Sequence, residues 1–349
     1  MTRPFVALSV LTLAMVAACV VVIGEQQATE TAVSGTGELF FPGFGAEVIS
    51  VAAVEVHRAD GQFTLARTPH GWVNLGLGGY PALGGRVDTT LAALAALSRV
   101  APKTSRARWH QKLSVEDVAA GARSTRLVVK HGDGTTMADI IVGGGQRPGA
   151  GRRRAGVYVR PPDAEAAWLA DGSFDIHYDV ADWSERALID IKPTAVQSMT
   201  IVHRDGERIA LGRVSSSTDE LTLASPPPGA VVRHRYQIKY LAGMFEDLTL
   251  ANARAGSGTD PGPGATVMVT SRGGVQVTLR QLTGGPNKGT AEQLWVTLTA
   301  QAAAGARLAT GESANVAHLQ QKFAGWEFLL PRAVNERLKI RLVDIVGSN

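Results

Sequence analysis

The most reactive-looking triplet in the chain is His203-Arg204-Asp205, within Thr200 to Arg213. In protein kinases this triplet opens the catalytic loop, and its aspartate acts as the base. That chemistry also needs a downstream asparagine for metal, a glycine-rich loop over phosphate and a strand lysine. Here Ile209-Ala210-Leu211 stands where the asparagine context belongs. The neighbouring residues give another reading. Thr200, Val202 and Arg204 alternate with Ile201 and His203, and the two-residue period resumes at Ile209 and Leu211. Two β-patterned runs around Asp205-Gly206 predict a hairpin with a type I′ turn, which requires positive φ at both central residues. The order recurs at Val54 to Arg67 around Asp60-Gly61, and at Leu127 to Gly134 around Asp133-Gly134. A catalytic loop occurs once, whereas a turn can repeat. His57, His131 and His203 are therefore expected at strand ends, as exposed polar groups.

Other constellations fall short of their chemistry in the same way. Gly76-Leu77-Gly78-Gly79-Tyr80-Pro81 begins like a dinucleotide loop, but Pro81 replaces the last glycine and no buried strand leads in. Gly143 to Gly151 is glycine-rich and lacks Gly-Lys-Ser/Thr. His131 with Asp133, and His177 with Asp179, have spacings that could hold a metal, but neither pair has a third ligand. Ala255-Gly256-Ser257-Gly258 lacks the strand-to-helix context of a nucleophile elbow. No catalytic, cofactor or metal residue is assigned. The dense charge run is Arg152-Arg153-Arg154, with Arg147 nearby. Its planar donor forks suit anions, which makes it a candidate contact for lipid phosphate or an acidic partner. The simpler reading is a solvated loop tip.

The chain has 349 residues, 45% hydrophobic and 19% charged, with net charge +4. This balance excludes a disordered chain and gives no argument for nucleic acid. The lone cysteine, Cys19, lies in the N-terminal apolar segment, so the folded part has neither a disulfide framework nor a cysteine zinc site.

Phe5 to Gly24 is twenty uncharged residues behind Arg3. That length spans a bilayer core of about 30 Å. With Arg3 before it and Glu25 and Glu30 after it, the body of the chain is expected outside the cytoplasmic membrane. Three fates are open: an uncleaved anchor, lipidation at Cys19 after the lipobox-like Val16-Ala17-Ala18, or cleavage near Ala17-Ala18. The anchor is preferred, because Val20 to Ile23 continues the apolar run. The expected organisation is a transmembrane helix over 1–24, a polar tether over 25–38, and modules over 39–187 and 188–349.

The two modules follow from an internal repeat with a displacement of about 145 residues. Each His-Arg hairpin is followed by a helical stripe: Leu91, Leu94, Ala95 and Ser98 in Arg86 to Arg99, then Leu241, Met244, Phe245 and Leu248 in Arg235 to Leu250. Three β segments come next in each half, over 125–129, 138–142 and 156–160, then over 265–270, 275–279 and 293–298. Each half is expected to end in a helix with a tryptophan, Trp183 or Trp326. The fold class is α+β: a tandem duplicated domain, each half an antiparallel hairpin and meander with amphipathic helices on one face.

Leu39-Phe40-Phe41-Pro42-Gly43, the hairpin at Val54 to Arg58, Gly71-Trp72, Arg86-Val87-Asp88, Ile141 to Gly144, Gly156 to Arg160 and Trp183 to Leu188 occur in an order that resembles the DUF4340 family. The family's Tyr-Gly-Leu segment after the first helix is not evident around Leu113-Ser114-Val115. The resemblance implies a bacterial protein with an N-terminal membrane segment, encoded near ABC-type transport components. It implies no activity and no catalytic residues.

The expectation is a single-pass protein of the bacterial inner membrane, with its bulk in the periplasm or outside. It acts as an accessory or scaffold subunit of an ABC-type transport or envelope assembly, through protein contact and without a cofactor. The alternative is a solute- or glycan-binding module, for which exposed clustered Trp and Tyr would speak. An envelope hydrolase ranks third.

Overall fold

The computed structural model describes residues 36–146, 156–172, 174, 179–214, 220–257, 262, 264–282 and 293–348. The chain forms two compact units. The first takes residues up to Pro69 and Gly84–Ile176, and the second takes His70–Leu83 and His177–Asn349.

In chain order, the short helix α1 (Phe44–Glu47) precedes β1 (Val51–Arg58), β2 (Gly61–Thr68), β3 (Gly71–Asn74) and β4 (Tyr80–Pro81). Then come α2 (Gly84–Ala95), β5 (Ser98–Thr104), α3 (Ala107–Leu113), β6 (Thr125–His131), β7 (Thr136–Gln146), β8 (Gly156–Arg160) and β9 (Ala167–Asp171). The remainder is β10 (Ala187–Ile189), β11 (Val196–Val202), β12 (Arg208–Arg213), β13 (Leu221–Leu223), β14 (Ala230–Val232), α4 (Arg235–Ala242), β15 (Leu248–Thr249) and β16 (Asn252–Ala255), then β17 (Thr266–Ser271), β18 (Val275–Gln281), β19 (Leu294–Ala302), α5 (Thr310–Phe323), β20 (Trp326–Leu330), α6 (Arg332–Arg337) and β21 (Val346–Ser348). The molecule is α+β, mostly antiparallel sheet with a few helices. Among the described residues no helix is long and apolar enough to cross a membrane. Residues 5–24 and Cys19 lie outside the described residues.

In the first unit the strands run in the order β2-β1-β6-β7-β8-β9-β5, and in the second β13-β12-β11-β17-β18-β19-β20-β16. After the edge strand β13, the second order repeats the first strand for strand. The alternation expected from the sequence decides the faces. Val54 and Val56 pair across from Val129 and Leu127, and Leu127 from Ile140, and all five are buried. Ile141 faces the other way, yet it is buried too, packed with Val115 and Ala167 beside Leu113 and Tyr158. The sheet of the first unit is therefore covered on part of its second face, where the sequence reading left that face open.

All three predicted hairpins form, but not with the predicted turn. Gly134 and Gly206 take φ of 87° and 89°, while Asp133 and Asp205 stay at negative φ. His131 and Thr135 close one turn, and His203 and Glu207 the other, by N–H to carbonyl bonds of 2.9 Å. These two are three-residue loops in which only the last position is left-handed, so only that position needs glycine, whereas the first hairpin pairs Arg58 with Gly61 across the two-residue loop Ala59-Asp60.

Two helices are shorter than their apolar stripes suggest. α2 stops at Ala95, and Ser98 opens a strand. α4 stops at Ala242, and Gly243–Phe245 continues as one tighter turn. Trp183 closes a 3-10 turn and Trp326 starts a strand, so neither sits in a terminal helix. In the second unit α4, α5 and α6 bury Leu241, Leu319 and Val334 in one core with Val267, Leu279 and Phe328.

Candidate contact surfaces

α3 is a seven-residue helix whose two sides differ in composition. Arg106, the residue just before it, donates its backbone N–H to Thr104 Oγ1 at 3.1 Å. Ser114, at φ 57°, ends the helix in the left-handed conformation. On the inner side the buried His110 Nε2 donates to the Glu165 carbonyl at 2.9 Å. Leu113 joins the cluster of Val115, Ile141 and Ala167. Gly143 lies so close to the Leu113 carbonyl that a Cβ there would collide with it. The outer side carries Arg106, Arg108, Trp109 and Lys112, all exposed. The Lys112 Nζ stands 3.9 Å from the centroid of the Trp109 ring, and the Arg108 guanidinium 5.5 Å. Cations over an indole face are held by its quadrupole.

α4 presents a second such face in the other unit. Ile238, Leu241 and Ala242 point into the core, while Tyr236 and Tyr240, one turn apart, are 63% and 40% exposed. The His234 ring meets Tyr236 edge-on at 5.7 Å. Arg337 from α6 lies 4.8 Å over the Tyr240 ring and donates to the Gly243 carbonyl. The start of α4 is pinned to the C-terminal stretch, since the N–H groups of Arg233 and His234 both donate to the Ile345 carbonyl. Each tyrosine ring thus has one neighbour against it, on a helix whose start is fixed by backbone bonds.

The sequence-level candidates are dispersed. Arg147, Arg152, Arg153 and Arg154 lie outside the described residues, as does His177. His131 Nδ1 is 3.7 Å from Asp133 Oδ1, but Asp133 is occupied by the Thr135 N–H and hydroxyl as a turn clamp. Asp179 caps a 3-10 turn through the Ala181 N–H at 2.9 Å. Gly78 abuts the backbone of Arg254, which leaves no room for phosphate. His57 pairs with Glu55 at 3.0 Å, and Glu55 also holds Lys130 at 2.8 Å. Burial opposes ionisation of Glu55, but these two partners hold its carboxyl below the usual range.

His203 corrects the expectation of exposure. It is only 6% exposed, because Arg341 reaches back to Asp205 and Glu207 and brings Ile340 with it. Burial, reinforced by the Arg341 charge, pushes its pKa down. Glu327 is another buried charge. Arg254 Nε donates to it at 2.7 Å, the Ser257 N–H at 3.1 Å, and the Arg254 guanidinium stacks 4.0 Å over Trp295. Burial works against ionisation, yet these bonds hold the Glu327 carboxyl below its ordinary value.

The tryptophans do not form one exposed platform. Trp72 and Trp183 are buried, Trp168, Trp295 and Trp326 half-buried, and Trp109 stands out on α3. A groove of about 610 Å³ beside β19 is lined by Thr297, Thr299, Gln320 and Trp326. The Trp326 ring is held edge-on by Tyr80 at 4.9 Å. Burial, with Glu185 nearby, pushes the Tyr80 hydroxyl up to about 12, so it is a neutral donor at any physiological pH.

The two aromatic–basic faces escaped the sequence reading, although both are spelled in it. Arg106-Ala107-Arg108-Trp109 and Arg233-His234-Arg235-Tyr236 combine cations and a ring at the starts of two short helices. No curated protein and no solved structure matches the chain. The model of the family described as Domain of unknown function (DUF4340) matches residues 72–255, just over half of the chain and including α3, α4 and the hairpin at His203. The chain belongs to the DUF4340 family.

Proposed function

We propose that this protein is a membrane-tethered accessory subunit that works by contact with a protein partner in a transport or envelope assembly. Residues 1–24 form its anchor in the cytoplasmic membrane, 25–38 its tether, and the remainder, outside the cytoplasm, is a duplicated α+β module. The strand order common to both sheets supports the duplication. The twenty-residue apolar run behind Arg3 supports the anchor.

The observation that carries the contact reading is the α4 face. Tyr and Arg are the residues that protein interfaces concentrate at their energetic centre. Here Tyr236 and Tyr240 stand exposed, with Arg337 stacked on one ring and His234 against the other. Tyrosine adds a large rigid surface with few rotamers to freeze, so its binding cost is low. Co-purification from membranes in mild detergent, comparing wild type with Tyr236→Ala/Tyr240→Ala, tests this. A partner retained by wild type and lost by the variant supports the reading, and a wild-type chain that runs alone opposes it.

A further inference from the structure

We propose that the α3 face is a docking surface for a membrane rich in anionic phospholipid. It is a different surface from the α4 face and does not depend on the tether. From Thr89 to Val115 the sequence contains no carboxylate and five cations. One of them, Arg99, is engaged by Glu38. The other four, Lys103, Arg106, Arg108 and Lys112, are exposed and have no ion pair among the described residues. The acids that bracket this run are turned elsewhere in part, Asp117 to Arg160 and Glu116 to the Arg123 N–H, so four cations without an ion pair gather around one helix.

The argument for lipid rests on the two lysines and the absence of paired acid: Lys is depleted at protein interfaces, and two of these four cations are lysines. A lysine is a point charge on a flexible stem, suited to a fluid array of phosphates that offers no fixed carboxylate geometry. Each such cation near an anionic leaflet raises partitioning on the order of fivefold. Trp109 supplies the amphipathic ring that settles at headgroup depth. At 36% exposure it stands out between Arg108 and Lys112 while the other side of α3 is locked by His110 and Leu113. The helix is thus a rigid platform that needs no folding step to meet the surface.

The test uses the full chain in vesicles of phosphatidylcholine alone or mixed with phosphatidylglycerol, with brominated lipids as quenchers. Wild type minus Trp109→Phe isolates the Trp109 signal. The expected result is Trp109 quenching in the phosphatidylglycerol vesicles, little in phosphatidylcholine, loss at high salt, and loss in Arg106→Glu/Arg108→Glu/Lys112→Glu. If that variant fails to fold, the salt titration of wild type carries the test. Absence of Trp109 quenching on anionic vesicles, or equal quenching on both, overturns the proposal. So does shielding of Trp109 from aqueous iodide only when membrane protein extract is added, since that assigns the face to a protein. Flotation of the same samples reports the tether separately. A chain that floats on neutral vesicles with Trp109 unquenched keeps its tether and loses this face. A chain that floats only on anionic vesicles keeps the face and loses the tether.

Discussion

Arg341 places its Nη1 2.9 Å from the Oε2 of Glu207, a residue far back in the chain at the β11–β12 turn. The same guanidinium takes Asp205 through Nη2 at 2.8 Å, and the Leu342 N–H donates to Glu207 Oε1 at 3.2 Å. This clasp brings the C-terminal stretch over His203, and that stretch supplies the Ile345 carbonyl on which α4 begins. The clasp thus links a hairpin turn to the orientation of the Tyr236 face.

His203 makes the clasp pH-dependent. The folded protein holds this imidazole below the ordinary histidine range, through burial first and the Arg341 charge second. The unfolded chain therefore takes up the proton first. Stability is full above about pH 6.5 and falls as pH drops below that value, until the folded-state imidazole also protonates. Urea unfolding of the second unit followed at pH 7.5, 6.5 and 5.5 should show the decline in wild type and a flatter profile in His203→Leu. Equal slopes in the two proteins would remove His203 from the account.

Removing the clasp itself should be measurable but mild. Arg341→Ala deletes a solvent-screened but multiply bonded cation, so a small loss of stability is expected, read as a modest drop in the unfolding midpoint. A double-mutant cycle with Glu207→Gln reads the coupling directly, and additive losses would mean that the pair contributes nothing.

Glu327 is the more costly charge to neutralise. It is buried and serves Arg254 and the Ser257 N–H together. Glu327→Gln leaves the Arg254 guanidinium without its counter-charge, and a loss of about 3 kcal/mol is expected by denaturant titration. A loss under about 0.5 kcal/mol would show that Arg254 keeps its place through Trp295 alone.

Gly143→Ala tests how α3 is seated. The added methyl collides with the Leu113 carbonyl, a backbone atom that can move only if α3 moves. The expected cost is about 1–3 kcal/mol. It should be accompanied by faster hydrogen exchange over 107–115. The same change at Gly144, where the added methyl would make only an ordinary contact with the Leu113 carbonyl at 3.9 Å, should be nearly silent.

What the sequence disclosed follows from how local each feature is. The hairpins at Asp60, Asp133 and Asp205 are set by neighbouring residues, and all three were legible. The turn type was not, because Asp-Gly fits both a two-residue I′ loop and a three-residue loop that ends in left-handed glycine. The end of α4 was misread because Leu241, Met244, Phe245 and Leu248 keep the helical period while Gly243 shifts the chain into a tighter turn. β9 is a five-residue run with two alanines, too short for periodicity to detect. α5 buries little beyond Val316, Leu319 and Phe323, a thin stripe in fourteen residues. The burial of His203 depends on Ile340 and Arg341, which no local window contains. The contact faces had a local signal in Arg-X-Arg-Trp and Arg-His-Arg-Tyr, but pattern alone does not say whether such a run is solvated or seated on a core.

If the exposed aromatic face of α4 makes this chain a contact subunit, the mass of the complex recovered from membranes in mild detergent must depend on it, for wild type against Tyr236→Ala/Tyr240→Ala, with both shown folded by their unfolding midpoints. A defined complex is expected with wild type, collapsing to the lone chain in the variant. A wild-type chain that elutes alone, or a complex indifferent to both tyrosines, would contradict it.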